Sequence, residues 1–289
     1  MPATTETNVD VSGFLKRFSH FGRQPTAEGY VDLFEPTGTV QHPGMPRPLS
    51  GEKIQKFISA VLALMPDFRL QPMAWCSHGD IVFVEAITSG SVRDAHATWP
   101  AMYCVKLNGD RVITGRSYYD RAGVFSQLQG DRTGQFEERV PGASMDAPRA
   151  GDRGNIEKVI EEFVRPYVEA WRAPEKHRIS DFYTRTGSIL IPDCERVARE
   201  DVVRTRVEIA DVGTLRQHCE AYAVCTHDVF FHWRITGSLD GRPFEVGAAE
   251  RVTLDGLKIA DGAMYFDRIS IEAVRDPSLA SRTIFDAPK

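Results

Sequence analysis

Two residues in the first part of the chain have side chains that could move or donate protons. His42 stands directly before Pro43 in a short strand-like run, and histidine titrates near neutral pH, which suits a general base. Tyr103 alternates with Val105 and Leu107, so these three side chains share one face of a predicted strand. The Tyr103 hydroxyl would then serve as a hydrogen-bond donor on an apolar face. The structural alternative is that His42 only bonds a turn and Tyr103 belongs to the core.

A second set of candidate residues lies in the last part of the chain. Glu250 alternates with Val252 and Leu254, which places a carboxyl group on an apolar strand face. Such a group could act as an acid, a base or a hydrogen-bond donor, and pairing with an arginine is the structural alternative. Tyr167 lies in the helix-like segment RPYVEAW, and its hydroxyl could donate a hydrogen bond.

Two aspartates hold equivalent positions in two similar segments of the chain, and each is followed by an arginine. They are Asp120 before Arg121 and Asp267 before Arg268. A feature that both copies keep, while other candidate residues differ, is more often structural, and a salt bridge at the end of a strand is the simplest interpretation.

The sequence has no motif for metal or cofactor chemistry. Five cysteines are an odd number and show no C-x-x-C spacing, so we interpret them as small buried hydrophobes rather than disulfides or zinc ligands. The eight histidines are scattered. No glycine-rich nucleotide loop, Walker loop, G-x-S-x-G or H-E-x-x-H motif is present. We therefore expect neither a metal site nor an organic cofactor.

The elements that position these residues occur twice. Residues 107–121 (LNGDRVITGRSYYDR) recur 147 positions later as residues 254–268 (LDGLKIADGAMYFDR), with six of fifteen positions identical. Each copy predicts two strands joined by a tight turn, for which Asn108-Gly109 and Asp255-Gly256 are favourable residues. A repeat of this length indicates two homologous domains rather than a solenoid.

Each predicted domain begins with helices and continues with strands. Helical spacing of apolar residues predicts helices near residues 11–18, 54–65, 156–171 and 201–212, and strand patterns follow each helical part. This order is typical of an α+β fold with helices on one side of a mainly antiparallel sheet. Glycine, proline and charged residues are enriched between the halves. We predict domains at 1–129 and 155–289, joined by a linker at 130–154.

Charge and composition narrow the class of protein. The chain has 289 residues, 42% of them hydrophobic, and a formal net charge of −5. This balance argues against nucleic acid or an anionic membrane as the main partner. The polar start MPATTETNVD does not resemble a signal or transit peptide. These observations predict a cytoplasmic protein.

Three local motifs, which occur in the same order and with similar spacing in both halves, resemble the nuclear transport factor 2-like superfamily. This superfamily includes ketosteroid isomerases and SnoaL-like polyketide cyclases. The motifs are the run at 38–43 (GTVQHP), the Asn108-Gly109 hairpin, and the strand end at 118–121 (YYDR) followed by Ala-Gly. The resemblance covers each half almost end to end. It implies two tandem cones, each a curved, mainly antiparallel sheet wrapped by helices around an apolar pocket. Members include enzymes and pure binding domains, so the fold leaves the function open.

The resemblance also implies roles for residues. Ketosteroid isomerases carry a base directly before a proline, a tyrosine on the first helix and an acid on the strand before the hairpin; the base takes a proton next to a carbonyl and the others bond the resulting enolate. In the first half these positions hold His42, Phe18 and Tyr103. In the second half the base position is Ile191, which cannot move a proton, and the others are Tyr167 and Glu250. SnoaL-like cyclases use an acid late in the chain, which keeps Asp120 as a candidate.

Aromatic residues are expected to wall the pocket, although each could equally belong to a core. They are Phe18, Trp75, Trp99, Tyr119, Trp171 and Phe266. A flat or polycyclic ligand would suit such walls. The two domains are expected to pack through their sheets, as in the homodimers common in this superfamily, and the whole chain could form a homo-oligomer.

The sequence thus predicts a cofactor-independent acid-base enzyme of the isomerase, cyclase or lyase type. Its substrate would be a small apolar or aromatic compound with a carbonyl or phenol group, and the chemistry would centre on the first half. One alternative is a protein that binds a small molecule without catalysis. Another is a hydrolase of epoxides or esters, for which the sequence offers no evident Asp-Arg-Asp network.

Overall fold

The computed structural model describes residues 9–128, 153–174, 178–192, 196–207, 210–211, 213–280 and 282. These residues form two α+β halves of matching design. The elements of the first half are α1 Val11–Arg23, α2 Ala27–Val31, β1 Phe34–Gln41, β2 Leu49–Ser50, α3 Glu52–Leu64, β3 Arg69–His78, β4 Ile81–Val92, β5 Ala95–Asn108, β6 Arg111–Tyr118 and α4 Arg121–Leu128.

The second half repeats this order with small additions. Its helices are α5 Arg153–Val159, a π-helical turn Ile160–Val164, α6 Arg165–Arg172, a 3₁₀ turn Ile179–Phe182, α7 Val202–Val207, α8 Arg268–Glu272 and a 3₁₀ turn Pro277–Leu279. Its strands are β7 Tyr183–Leu190, β8 Val197–Ala198, β9 Arg216–Val224, β10 Asp228–Leu239, β11 Arg242–Asp255 and β12 Lys258–Phe266. The predicted linker lies outside the described residues except for its last two residues, which open α5. Of the helix predicted at 201–212, the structure describes α7.

Each half has one six-stranded sheet of the same topology. The strand orders are β2-β1-β6-β5-β4-β3 and β8-β7-β12-β11-β10-β9. The pairs β1–β6 and β7–β12 are parallel, and the other pairs are antiparallel. Equivalent residues hold equivalent registers, since Val84 pairs with Tyr103 in the first sheet and Phe231 with Glu250 in the second. The predicted α+β fold with two mainly antiparallel sheets is confirmed.

The long hairpins turn one residue later than the sequence pattern suggests. Asn108 is still paired with Arg111, so the turn consists of Gly109 and Asp110. Gly109 has φ 57°, a value that costs glycine little. Positive φ at the first turn residue alone is the type II′ geometry, which follows the twist of the strands. The second copy turns in the same way at Gly256, with φ 62°.

The two sheets pack against each other, and this arrangement gives three cores. One apolar core fills the space between helices and sheet in each half. A third core lies between the sheets and is built from the opposite strand faces; it contains Cys76, Phe83, Met102, Cys104, Tyr118, Ala223, Phe230, Ala249, Ala263 and Tyr265. In β4, therefore, Val84 faces its own half while Phe83 faces the other half. No helix among the described residues is long and apolar enough to cross a bilayer.

A disulfide joins the two sheets, and the prediction of unpaired cysteines is wrong for its two members. Cys76 on β3 is bonded to Cys225, directly after β9. Cys104 and Cys219 are free thiols, while Cys194 lies outside the described residues. The pairing could not be predicted from local spacing because 149 residues separate the two cysteines, and only the packing of the sheets brings them together. The bond leaves the cellular compartment open, because disulfides are typical of oxidising compartments.

Two ion pairs cross between the halves. Arg121 donates from Nε and Nη2 to Asp267 Oδ2 at 3.0 and 2.7 Å, and Arg268 donates to Asp120 Oδ2 at 2.8 and 2.6 Å. Each aspartate also accepts backbone N–H bonds at the start of the helix that follows it. Each half therefore supplies the acid for the other half's arginine. The salt bridge expected at the strand end exists between the domains.

Candidate functional site

The first half encloses a cavity of about 60 Å³ between its helices and its sheet. No lining side chain is an acid, a lysine or an arginine. The lining residues are Phe21, Tyr30, His42, Phe57, Ile58, Val61, Met65, Phe68, Leu70, Thr88, Trp99, Tyr103 and Tyr119. His42 and Tyr103, which the sequence nominated as base and donor, therefore meet in one cavity. Trp99 and Tyr119 stand in its wall, as expected of aromatic pocket residues.

His42 is held by hydrogen bonds at both ring nitrogens. Its Nε2 lies 3.0 Å from the Tyr30 hydroxyl and its Nδ1 lies 2.7 Å from Ser117 Oγ. The ring stacks on Phe57 at a centroid distance of 4.9 Å. Burial lowers the pKa of His42 to about 4, because the imidazolium would lose its hydration. At neutral pH the ring is uncharged and able to accept a proton.

Tyr30 and Ser117 were missed in the sequence analysis, although the repeat contains a signal for them. At the positions equivalent to Tyr30 and Ser117, the second half has Ile179 and Met264. The same change from polar to apolar separates His42 from Ile191. A comparison of the two halves would thus have selected all three polar residues together.

Tyrosines supply the other polar groups of the cavity. Burial raises the pKa of Tyr103 to about 12 and also raises the pKa of Tyr30 and Tyr119. All three hydroxyls therefore stay protonated and can donate hydrogen bonds. Thr88, across the sheet from Trp99, adds a fourth hydroxyl. The cavity thus offers donors to an oxygen atom without offering a fixed charge.

Phe18, the predicted helix position of the site, supports Tyr103 from outside the cavity wall. Its ring meets the Tyr103 ring edge-on, with the centroids 5.2 Å apart. Phe18 has no polar atom, so its contact can only fix the position of the tyrosine. Trp75 likewise packs against the first core.

In the second half, Tyr167 and Glu250 meet as a buried hydrogen-bonded group. The Tyr167 hydroxyl donates to Glu250 Oε1 at 2.9 Å, and Trp233 Nε1 donates to Oε2 at 2.8 Å. All three residues are fully buried. The arrangement satisfies the carboxyl oxygens from inside the protein, so Glu250 serves this interior contact in the structure.

Large side chains fill the second half where the first half has small ones. Trp233 and Phe231 occupy the positions of Ala86 and Val84 on the equivalent strand. The Phe231 and Trp233 rings stack with centroids 5.1 Å apart. Trp171 and Phe266, both predicted to wall a pocket, belong to this core as well. Among the described residues, these larger side chains take up space that smaller ones leave open in the first half.

Asp120 lies apart from the His42 cavity. It borders a space of about 20 Å³ at the contact between the halves, and its carboxylate accepts bonds from the Arg268 side chain and from three backbone amides. Burial raises the pKa of Asp120, while the Arg268 bonds oppose that change. Both oxygens are engaged, so a proton transfer at Asp120 would have to break the interdomain ion pair.

Within the described residues, no group of three metal-binding side chains occurs.

Neither a family model nor a curated protein matches the chain. Solved structures do match. A hypothetical protein from Catenulispora acidiphila with a ketosteroid isomerase-like fold, in complex with trimethylamine, is 18% identical with a TM-score of 0.38; the match covers 42% of this chain and 97% of that one. For IdmH of Streptomyces antibioticus, a proposed polyketide cyclase, the values are 14%, 0.38, 42% and 99%.

A nuclear transport factor 2-like protein of unknown function from Burkholderia pseudomallei is 18% identical, with a TM-score of 0.38, over 40% of this chain and 95% of that one. At these identities and scores the likeness concerns the fold and carries no argument about activity. Each match spans one domain's length of this chain. With its repeated sequence and the shared order of elements in its halves, the chain is a tandem of two similar α+β domains, each with a mainly antiparallel six-stranded sheet.

Proposed function

We propose that the first half is a cofactor-independent acid-base enzyme of the isomerase, cyclase or lyase type. The observation that carries this proposal is the convergence of an uncharged His42 and the Tyr103 hydroxyl on one cavity without fixed charge. The substrate class is a small uncharged compound with a carbonyl or phenol group. A carboxylate ligand would find no cation among the lining residues, and its burial there would be costly.

The proposed step is removal of a proton from the carbon next to a carbonyl. His42 Nε2 is already bonded to Tyr30, so Tyr30 Oη accepts the substrate proton as it gives its own proton to Nε2. The electron pair moves to the carbonyl oxygen, where Tyr103 donates a hydrogen bond to the developing enolate. A base with a low pKa is compatible with this chemistry, since ketosteroid isomerases use a carboxylate.

The size of the cavity restricts the substrate. A volume of about 60 Å³ is far below the roughly 300–1,000 Å³ of pockets that enclose drug-sized ligands. A single ring can enter only if wall side chains move, and a polycyclic ligand requires larger rearrangement. Met65 is the most adaptable wall residue because its unbranched side chain has several low-energy conformations.

Ligand identification comes first in testing this proposal. Protein purified under native conditions would be analysed by mass spectrometry for bound compounds, and small ketones and phenols would be screened for binding and turnover. With a substrate in hand, His42→Ala should lower kcat by roughly 10²–10⁴, the usual effect of removing a general base. Ile191→Ala at the equivalent position of the second half is the matched control and should change kcat little.

The competing assignment places the working site in the second half. In that case Glu250→Gln and Tyr167→Phe would abolish turnover while His42→Ala would be nearly silent. A silent His42→Ala, in a protein that remains folded and binds ligand, would reject the role of His42.

A second candidate function is binding without catalysis. It is favoured by the small cavity and by the engagement of both His42 nitrogens in hydrogen bonds. A binding protein would retain a ligand unchanged over long incubation, and its affinity would depend on Tyr103 more than on the protonation of His42. Recovery of only unmodified ligand, for every ligand that binds, would support this function.

A further inference from the structure

A second, larger space borders the same histidine from the opposite side. This space is a cleft of about 310 Å³ between the two halves. The first half contributes residues 41–45 and Arg116, Ser117 and Tyr118; the second half contributes Glu245, Val246, Gly247, Asp267 and Ser270. Its walls carry charged and hydroxyl groups, in contrast to the uncharged cavity inside the first half.

His42 forms part of the wall between these two spaces. Tyr30, the partner of Nε2, lines the inner cavity and is not among the residues lining the cleft. Ser117, the partner of Nδ1, lines the cleft and is not among the residues lining the cavity. His42 lines both. The two ring nitrogens are therefore connected to different spaces, one lined mainly by apolar side chains and the other by charged and hydroxyl groups.

We propose that the interdomain cleft is the proton-exchange port of His42, so that the second half completes the site of the first half. In the tautomer with hydrogen on Nδ1, Nε2 takes a proton from the cavity side. Nδ1 gives its proton to Ser117 Oγ, and Ser117 passes its hydroxyl proton to water in the cleft. One proton crosses the wall, no other bond changes, and the ring ends neutral in the other tautomer.

This inference rests on the proposed function only for the origin of the proton. It also gives the filled second half a role, since Glu245, Val246 and Gly247 on β11 form the far wall of the port. Gly247 packs against the first half at Tyr118, because a Cβ built on it would be 3.0 Å from Tyr118 Cε1. Side chains added on this strand should therefore narrow the cleft without entering the cavity.

The test uses the whole protein without any substrate. The probe is exchange of the His42 ring N–H with water, followed by nuclear magnetic resonance on protein labelled with ¹⁵N-histidine. Glu245→Trp places a large ring at the exposed edge of the cleft, and Gly247→Ala adds one methyl group deeper inside. Glu169→Trp, an equally exposed acid on α6, is the matched control. Val61→Phe fills the inner cavity instead.

We expect the His42 ring N–H to exchange about tenfold more slowly in Glu245→Trp and in Gly247→Ala. In these variants exchange must await local opening of the cleft. Glu169→Trp and Val61→Phe should exchange as the wild type does. Unchanged exchange in both cleft variants, or slowing in Val61→Phe as large as theirs, would overturn the port. This result is independent of turnover: a silent His42→Ala would reject the proposed function and leave the measured port standing.

Discussion

At the scale of single residues, the molecule separates uncharged polar groups from charged ones. The cavity of the first half holds neutral hydroxyls and a neutral imidazole, while two buried ion pairs, Glu85–Arg251 and Arg121–Asp267, lie between the domains. Glu85, for example, accepts from Arg251 Nε at 2.8 Å and from the Tyr265 hydroxyl across the sheets. Any ligand in the cavity would therefore meet hydrogen-bond donors and apolar contacts, whereas the charged pairs connect the two halves.

Tyr103→Phe tests the donor role directly. The change removes one hydroxyl and keeps the ring that packs on Phe18, so the fold should be retained. The rate should fall by less than in His42→Ala, since one donor among several is lost and removal of an enolate donor costs at most about 10²–10³. Steady-state kinetics with the identified substrate gives the comparison. An effect larger than that of His42→Ala would make Tyr103 the principal group.

Asp267→Asn and Asp120→Asn test the crossed ion pairs. Asp267→Asn leaves the Arg121 guanidinium, only 1% exposed, without its carboxylate and should cost about 3–5 kcal/mol of unfolding free energy. Asp120→Asn should cost less, because the Arg268 side chain is 27% exposed and water can solvate it. Asparagine still caps a helix, so cap loss does not confuse the comparison. Urea unfolding measures both, and equal losses would contradict the solvation argument.

At the scale of elements, β4 and β10 decide which half has a cavity. They have the same place and register in their sheets, yet β4 presents Val84 and Ala86 where β10 presents Phe231 and Trp233. The sheets have the same topology in the two halves, whereas the helices differ in length. The larger side chains on β10 take up space that the smaller ones on β4 leave open.

Substituting the side chains of one strand by those of the other should fill the first half and open a cavity in the second half. Ala86→Trp should crowd the interior of the first half and abolish ligand binding there, at a cost of about 1–3 kcal/mol for overpacking. Trp233→Ala should cost about 3–5 kcal/mol and leave a cavity that takes up a small apolar probe such as benzene. Calorimetric titration with benzene and urea unfolding measure the two effects. Benzene binding by wild type at the second half would contradict the filled interior.

The sequence predicted elements well where local spacing decides them. The apolar stripe ending before Pro25 gave α1, and the stripe ending at Pro66 gave α3, because both patterns are complete within one helix. The helix predicted at 201–212 had a weaker pattern, and the structure describes only Val202–Val207 as helix. His42 and Tyr103 could be nominated because each stands in a short pattern of its own.

Contacts between residues that are distant in the sequence could not be predicted from local spacing. Tyr30 and Ser117 are 12 and 75 residues from His42 along the chain, and no local period links them. The disulfide and the crossed ion pairs depend on how one sheet rests on the other, which a strand pattern does not specify. The isoleucine at the second base position led us to expect chemistry centred on the first half, and this stays a prediction.

At the scale of the whole molecule, two buried histidines couple folding to pH. Burial lowers the pKa of His42 and of His232 to about 4, in His232 against the opposing effect of Glu220. The unfolded chain binds these protons near pH 6.5 and the folded protein only near pH 4. Their stabilising contribution is thus complete above pH 6.5 and is lost as the pH falls toward 4, by at most about 3 kcal/mol for each histidine.

Urea unfolding as a function of pH measures this loss. Between pH 6.5 and 4, the free energy of unfolding of the wild type should decrease more steeply than that of His232→Gln, which removes one of the two groups. His232 lies between the sheets, 2.5 Å from the Tyr118 hydroxyl, so this variant tests the interface apart from the cavity. Parallel pH curves for the variant and the wild type would show that His232 does not contribute.

The disulfide should also stabilise the molecule as a whole. Closing a loop of this length restricts the unfolded chain and is worth about 5 kcal/mol in the chain-entropy description. Cys225→Ser, and wild type treated with a dithiol reductant, should both lose several kcal/mol in urea unfolding. Cys219→Ser, which changes a free thiol, is the control. No change on reduction would mean that packing between the sheets already suffices.

The same bridge makes the backbone between Cys76 and Cys225 a covalent ring, and the whole connection between the domains lies inside it. A single peptide-bond cut in that connection would therefore leave one molecule of unchanged size, with two new chain ends. Reduction would then release two fragments, and their reassembly would depend on protein concentration because the local tether is gone. The halves stay covalently linked while either the backbone connection or the disulfide is intact, so only the loss of both makes their association depend on protein concentration.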